Sequence, residues 1–186
     1  MTTVFLSGSR TISRLNDLIR FRLKNVIDQR FDVIIGDANG ADKALQGYLA
    51  ESCYEKVVVF CVGSVCRNNI GNWPVRNIDV DSKLKGRDFY TQKDKAMALE
   101  SDYGFVLWDG KSASSINNVL ELMKNGKAVV VYYGPDKTFH ILKQANDVQM
   151  LLRHCDESDY RSINNKIHFV RRLEDLRGSL QPSFNL

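Results

Sequence analysis

The residues best suited to chemistry lie in three short glycine-bearing stretches: "SGSR" (7–10), "GDANGAD" (36–42) and "DGKSASS" (109–115). Gly8, Gly36, Gly40 and Gly110 let the main chain approach a ligand with no Cβ in the way. Ser9, Ser112, Ser114 and Ser115 supply hydroxyls, Asp109 opens the third stretch, and Arg10 offers a forked guanidinium that suits phosphate or carboxylate. Each stretch leads into a helical pattern, where the first N–H groups lack intrahelical acceptors and the dipole end is positive. The chemistry this predicts is the holding of an anion. Taken singly, each stretch is an ordinary turn with a serine cap; three converging on one place make a binding site. Neither a Walker A loop nor a Gly-x-Gly-x-x-Gly fingerprint is present, since "DGKS" lacks the leading glycine of the first and "SGSR" the spacing of the second.

The elements that must position these loops are legible from periodicity. β-branched and apolar runs at 3–7, 32–36, 57–62, 103–108 and 128–133 predict strands. Helical patterns are expected over about 13–29, 40–52, 88–100 and 113–125. The first of these repeats Leu15, Leu18, Ile19, Leu23, Val26 and Ile27 at helical spacing. Strands alternating with helices predict an α/β fold, a three-layer Rossmann-like parallel sheet. With the common strand order 3-2-1-4-5, the carboxyl ends of strands 1 and 4 flank a crevice, and the three loops meet there.

Residues 63–87 break the alternation; a loop of that length is functional or mobile, with Trp73 as either a lid over a ligand or a plug over apolar surface. Beyond residue 133, "FHILKQANDVQMLL" (139–152) and "IHFVRRLEDLRGSL" (167–180) resemble each other. Each predicts a short strand and then a helix capped by Asn146 or Glu174, with His140 and His168 in structural roles. The organisation expected is a single domain over 1–186, with a core at 1–133 and a C-terminal α+β extension at 134–186.

Composition narrows the partners. The 186 residues carry 26 Lys and Arg against 22 Asp and Glu, a net charge of +4 that is interspersed along the chain. That suits a small anionic ligand and makes nucleic acid an unlikely partner. No apolar run reaches the ~20 residues of a membrane span, and the N-terminus lacks the basic region of a signal peptide, so the expectation is a cytoplasmic protein. Cys53, Cys61, Cys66 and Cys155 form no CxxC pair and read as free, largely buried thiols. A zinc set of Cys61, Cys66, His154 and Cys155 matches no common ligand spacing. No cofactor is implied, and exposed apolar helix faces make a homo-oligomer an expectation.

The segments "VFLSGSR", "VIIGDANGADKALQGYLAE", "FYTQKDKAMALESDYGFVLWDGKS" and "INNVLELMKNGKAVVVYY" resemble the SLOG superfamily of Rossmann-like nucleotide-binding domains, within it the YpsA- and YspA-related group. The resemblance covers the chain to about residue 133. It implies a nucleotide or nucleotide-derived ligand, NAD-like compounds included. Some relatives, the LONELY GUY phosphoribohydrolases and the deoxynucleotide N-hydrolases, cleave the bond between base and sugar phosphate. They use a Gly-Thr pair and a glutamate in the last glycine-rich loop and its helix. Here Ser114 and Ser115 stand at the Gly-Thr positions and Asn118 stands near the glutamate's. A neutral amide cannot serve as general base or stabilise an oxocarbenium ion. A replacement carboxylate would be Asp94, Asp42 or Asp88, and Arg87 would meet a phosphate. The expectation is a ligand-binding or sensing protein, with an N-glycoside hydrolase using Asp94 or Asp42 as the alternative.

Overall fold

Strands form where β-branched residues alternate between two buried faces, and a computed structural model shows how they assemble. It describes residues 1–63, 65–80, 83 and 86–179, apart from the side chains of Arg87 and Ser179. The described strands are β1 (Thr3–Gly8), β2 (Asp32–Gly36), β3 (Val57–Val62), β4 (Val75–Ile78), β5 (Tyr103–Trp108), β6 (Ala128–Tyr133) and β7 (Thr138–Leu142). They form one sheet in the order β4-β3-β2-β1-β5-β6-β7. All neighbours are parallel except β6 and β7. The five expected strands thus take the order 3-2-1-4-5, and the sequence order of the strands reverses between the parallel neighbours β1 and β5.

The pleat sorts side chains into two cores. Phe5, Val106, Trp108, Val129 and Val131 face one side; Val4, Leu6, Phe105 and Leu107 face the other. Helices α1 (Asp17–Asp28) and α2 (Ala41–Glu51) cover the second side through Ile19, Leu23, Leu45 and Leu49. The first side is covered by α3 (Gly86–Glu100) and α4 (Ala113–Lys124), followed outward by α5 (Ala145–Leu152), α6 (Glu157–Ile167) and α7 (Phe169–Ser179). This is the three-layer α/β fold expected.

Several expectations are corrected. The first helix starts at Asp17, because the Asn16 side chain accepts the Ile19 N–H at 3.0 Å and caps it there. Leu15 precedes the helix and Leu18 is exposed. The stretch 63–87 is not loop throughout: β4 pairs with the edge of β3, while residues 64, 81–82 and 84–85 lie outside the described residues. Trp73 is a plug. It is buried, and its indole N–H donates to the Tyr54 carbonyl at 2.8 Å.

The proposed repeat fails in its second half. His140 lies on β7, but His168 is the left-handed C-cap of α6, and a helix begins directly after it. The α5 helix is held by Asp147, whose carboxylate accepts the N–H groups of Lys143 and Gln144 at 2.8 and 2.9 Å; Asn146 does not cap it. Cys61 and Cys66 are paired as a disulfide, with Cα atoms 5.4 Å apart, and Cys53 is exposed, so the reading of four free and largely buried thiols is overturned. No helix among the described residues is long and apolar enough to cross a membrane.

Candidate functional site

A cleft of about 670 Å³ opens at the carboxyl ends of β1 and β5. That volume lies within the ~300–1,000 Å³ typical of small-molecule sites, and the position is the switch point of the sheet. Its walls come from the β1 loop (Gly8, Arg10, Thr11), the β2 loop (Ala38, Asp42), α3 (Tyr90, Lys93, Asp94), and the turn and first helical turns after β5 (Asp109, Lys111, Ser112, Ala113, Ser114, Asn118). The loops around residues 9 and 114 therefore share one end of the molecule.

The buried hydroxyls tie the loops together instead of facing the cleft. Ser9 and Ser115 are almost wholly buried, their Oγ atoms 3.0 Å apart. Ser115 donates onward to Ser112 Oγ at 3.1 Å, and Ser9 Oγ accepts the Asp109 N–H at 3.1 Å. Ser112 caps α4 by accepting the Ser115 N–H. Asp109 accepts from the Thr11 hydroxyl (2.6 Å) and from the N–H groups of Lys111 (2.9 Å) and Ser112 (2.8 Å). Burial alone would raise its carboxyl, but these donors outweigh it and hold it below the usual carboxylate range. Among the described residues, the N–H groups of Ala113 and Ser114 at the first turn of α4 have no intramolecular acceptor.

The glycines serve the site in different ways. Gly8 lines the cleft, with its Cα against β5: a Cβ there would lie 2.5 Å from the Leu107 carbonyl. At Gly36 a Cβ would fall 2.5 Å from Asp42 Oδ2 and 2.6 Å from Lys93 Nζ, so this glycine leaves room for those two side chains to converge. Gly40, at φ +80°, packs against the Arg10 backbone, and Gly110 faces Tyr133 and Pro135. Neither Gly36, Gly40 nor Gly110 is on the cleft wall.

The floor is built from charge. Asp37, almost wholly buried, accepts from Arg67 N–H (3.1 Å), Nε (3.0 Å) and Nη2 (2.6 Å), and from Lys93 Nζ at 3.0 Å. Burial pushes its carboxyl up, but the Arg67 hydrogen bonds and the Lys93 ammonium prevail and hold it far below the ordinary range. Asp42, buried on the first turn of α2, accepts the Ala38 N–H at 3.1 Å and so fixes the β2 loop. Burial raises its pKa despite the charge of Lys93.

Asp94 keeps partial contact with solvent through the cleft. The surrounding protein nevertheless pushes its pKa up to about 6, with Lys93 opposing and Asp42 assisting. In the amide orientation that satisfies its neighbours, Asn118 donates to Asp94 Oδ2 and to the Ser114 carbonyl, both at 3.2 Å, and accepts from Ser7 Oγ at 3.3 Å. Asn118 therefore holds the carboxyl group rather than replacing it.

The C-terminal segment closes one side. Lys111 Nζ lies 3.3 Å from Asp159 of α6, and Lys166 of the same helix lines the cleft. Cys155 donates its thiol to the Gly110 carbonyl at 3.3 Å, bracing the turn before α4; burial pushes that thiol up to about 11.

Of the residues expected from sequence, Gly8, Arg10, Asp42, Asp94, Asp109, Ser112 and Ser114 line the cleft. Asp88 is exposed and off the wall, and the Arg87 side chain lies outside the described residues. The expectations omitted Asp37, Arg67, Lys93, Tyr90 and Lys166. One signal for Asp37 was its place directly after Gly36, at the carboxyl end of a central strand. The chain matches no family model and no curated protein.

Proposed function

We propose that this protein binds a nucleotide or nucleotide-derived metabolite, with phosphate on the first turn of α4 and sugar or base over Asp42 and Asp94. The observation that carries the reading is the pair of unpartnered N–H groups at Ala113 and Ser114, opening into the switch-point cleft beside the Ser114 hydroxyl and Arg10. A phosphate fits donors of this kind, and the Asp42 and Asp94 carboxyls suit the hydroxyl and amide groups of a sugar or base. The resemblance to SLOG proteins agrees with this reading. The role is binding or sensing, since the position nearest the relatives' glutamate is Asn118.

One observation favours a second reading, N-glycoside hydrolysis. Asp94 is held by Asn118 on the cleft floor with a pKa of about 6, within range of a general acid working near neutrality. The two readings separate in one experiment: the purified protein is incubated with nucleoside phosphates and NAD while thermal stability and free base are followed. A shift in melting temperature without turnover supports the sensor. Base release that Asp94→Asn abolishes supports the hydrolase, and neither signal with any nucleotide removes the reading altogether.

A further inference from the structure

Among the described residues that wall the cleft, Tyr90 is the single aromatic; Met97 is buried and the others are small, polar or charged. The flat face of a nucleobase therefore has one matching surface there.

Helix geometry relates that ring to the rest of the site. Tyr90, Lys93, Asp94 and Met97 fall at i, i+3, i+4 and i+7 on α3, along one face of the helix, and all four line the cleft. Tyr90 stands one turn, about 6 Å of rise, from Asp94. Asp94 is in turn one amide group away from the proposed phosphate position: Asn118 donates to its carboxyl and to the Ser114 carbonyl, both at 3.2 Å. With phosphate on the first turn of α4 and sugar over Asp94, a base continuing along α3 reaches Tyr90.

The ring is held in place. The Arg67 guanidinium lies over it, 4.8 Å from its centroid, and is itself fixed by donating to Asp37 through Nε at 3.0 Å and Nη2 at 2.6 Å. Phe89 meets it at right angles, with the centroids 5.3 Å apart. Tyr90 is nonetheless 38% exposed. A ring backed by its neighbours and still partly open to solvent takes a base without first having to be ordered.

From this arrangement we infer that Tyr90 is the platform on which the ligand's base stacks, and that it makes the site prefer a nucleotide to a bare sugar phosphate. The inference rests on the nucleotide reading above and adds to it which wall takes the base and which residue selects for it.

The test uses the full chain, the monophosphates of adenosine, guanosine, cytidine and uridine, NAD, and ribose 5-phosphate as the control without a base. Affinities are measured by calorimetry for the wild type, Tyr90→Phe and Tyr90→Ala, with melting of each variant followed in the absence of ligand. The wild type is expected to bind at least one nucleotide more tightly than ribose 5-phosphate. In Tyr90→Ala the affinity for that nucleotide falls about 10-fold, in Tyr90→Phe it stays within about 2-fold, and ribose 5-phosphate changes by less than about 2-fold in both. At saturating nucleotide, ultraviolet difference spectra should show the hypochromism of a stacked base in the wild type and Tyr90→Phe, and lose it in Tyr90→Ala. Unchanged nucleotide affinity in Tyr90→Ala, an equal loss in Tyr90→Phe, or a loss shared by ribose 5-phosphate would overturn the role of Tyr90 and leave nucleotide binding standing. So would wild-type binding of ribose 5-phosphate as tight as that of every nucleotide. No binding of any nucleotide by the wild type would overturn both.

Discussion

Asp37 and Asp94 occupy one floor yet titrate in opposite directions, and the difference follows from their partners. Asp37 faces Arg67 and Lys93, so its pKa is depressed; its stabilising effect is present above the unfolded value of about 3.9 and is lost as pH falls toward the folded one. Asp37→Ala leaves Lys93 buried without its acceptor, and is expected to cost about 3 kcal/mol at pH 7. Urea unfolding should show that deficit narrowing below about pH 4; a deficit independent of pH would contradict the ion pair. Asp94 has the reverse sign. Its pKa is raised to about 6, so its contribution is fully present below about pH 4 and is lost as pH rises through 6. Asp94→Asn should match the wild type in stability at pH 4 and exceed it by about 1–3 kcal/mol at pH 8. A constant difference between those pH values would show that the carboxyl does not hold its proton in the fold. None of this charge arrangement is legible locally: Asp37 meets Arg67 thirty residues away and Lys93 fifty-six away, and sequence periodicity carries no information on such pairs.

At the scale of elements, sequence reading succeeded where side-chain alternation carries the signal and failed where the main chain does. The five central strands bury both faces and so read as unbroken apolar runs. β4, "VRNI", is mostly exposed and joins the sheet through backbone bonds to β3, so its residues carry no apolar pattern. The glycine-bearing loops were legible as a group because each follows a central strand. Which serines face a ligand was not, because Ser9 and Ser115 satisfy each other across 106 residues. Trp73 tests the part of the long connection that remains. Its ring lies over Gly71, its N–H groups bond to Tyr54 and Asn69, and it packs in the core beneath α2. Trp73→Ala should cost about 3–5 kcal/mol in chemical unfolding, the usual range for removing a buried aromatic. Ligand affinity measured well below the melting temperature should be unchanged, because Trp73 is not on the cleft wall. A selective loss of affinity would make it a lid after all.

At the scale of the molecule, the question is whether residues 134–186 are an appendage to a self-sufficient core. The packing argues that they are structural. Leu142, Ala145, Val148, Leu151, Leu152, Ile163, Ile167, Phe169, Leu173 and Leu176 are buried in the same cluster as Ile116, Leu120 and Val131. Arg172 bonds Glu121 and Asn117 of α4, both at 2.7 Å, and β7 pairs with Val129–Tyr133 of β6. Burying a large aliphatic or aromatic side chain contributes roughly 1.5–3 kcal/mol. Nine such residues, leaving Ala145 aside, give a gross term comparable to or larger than the ~5–15 kcal/mol net stability of a typical fold. Without them the outer face of α4 and the edge of β6 meet water, and the helix that carries the proposed phosphate contacts loses its support. A chain ending at residue 133 is therefore expected to lack a cooperative thermal transition by circular dichroism and to bind no nucleotide. A sharp transition in that fragment, with ligand affinity intact, would show that the C-terminal segment neither completes the core nor contributes to the site.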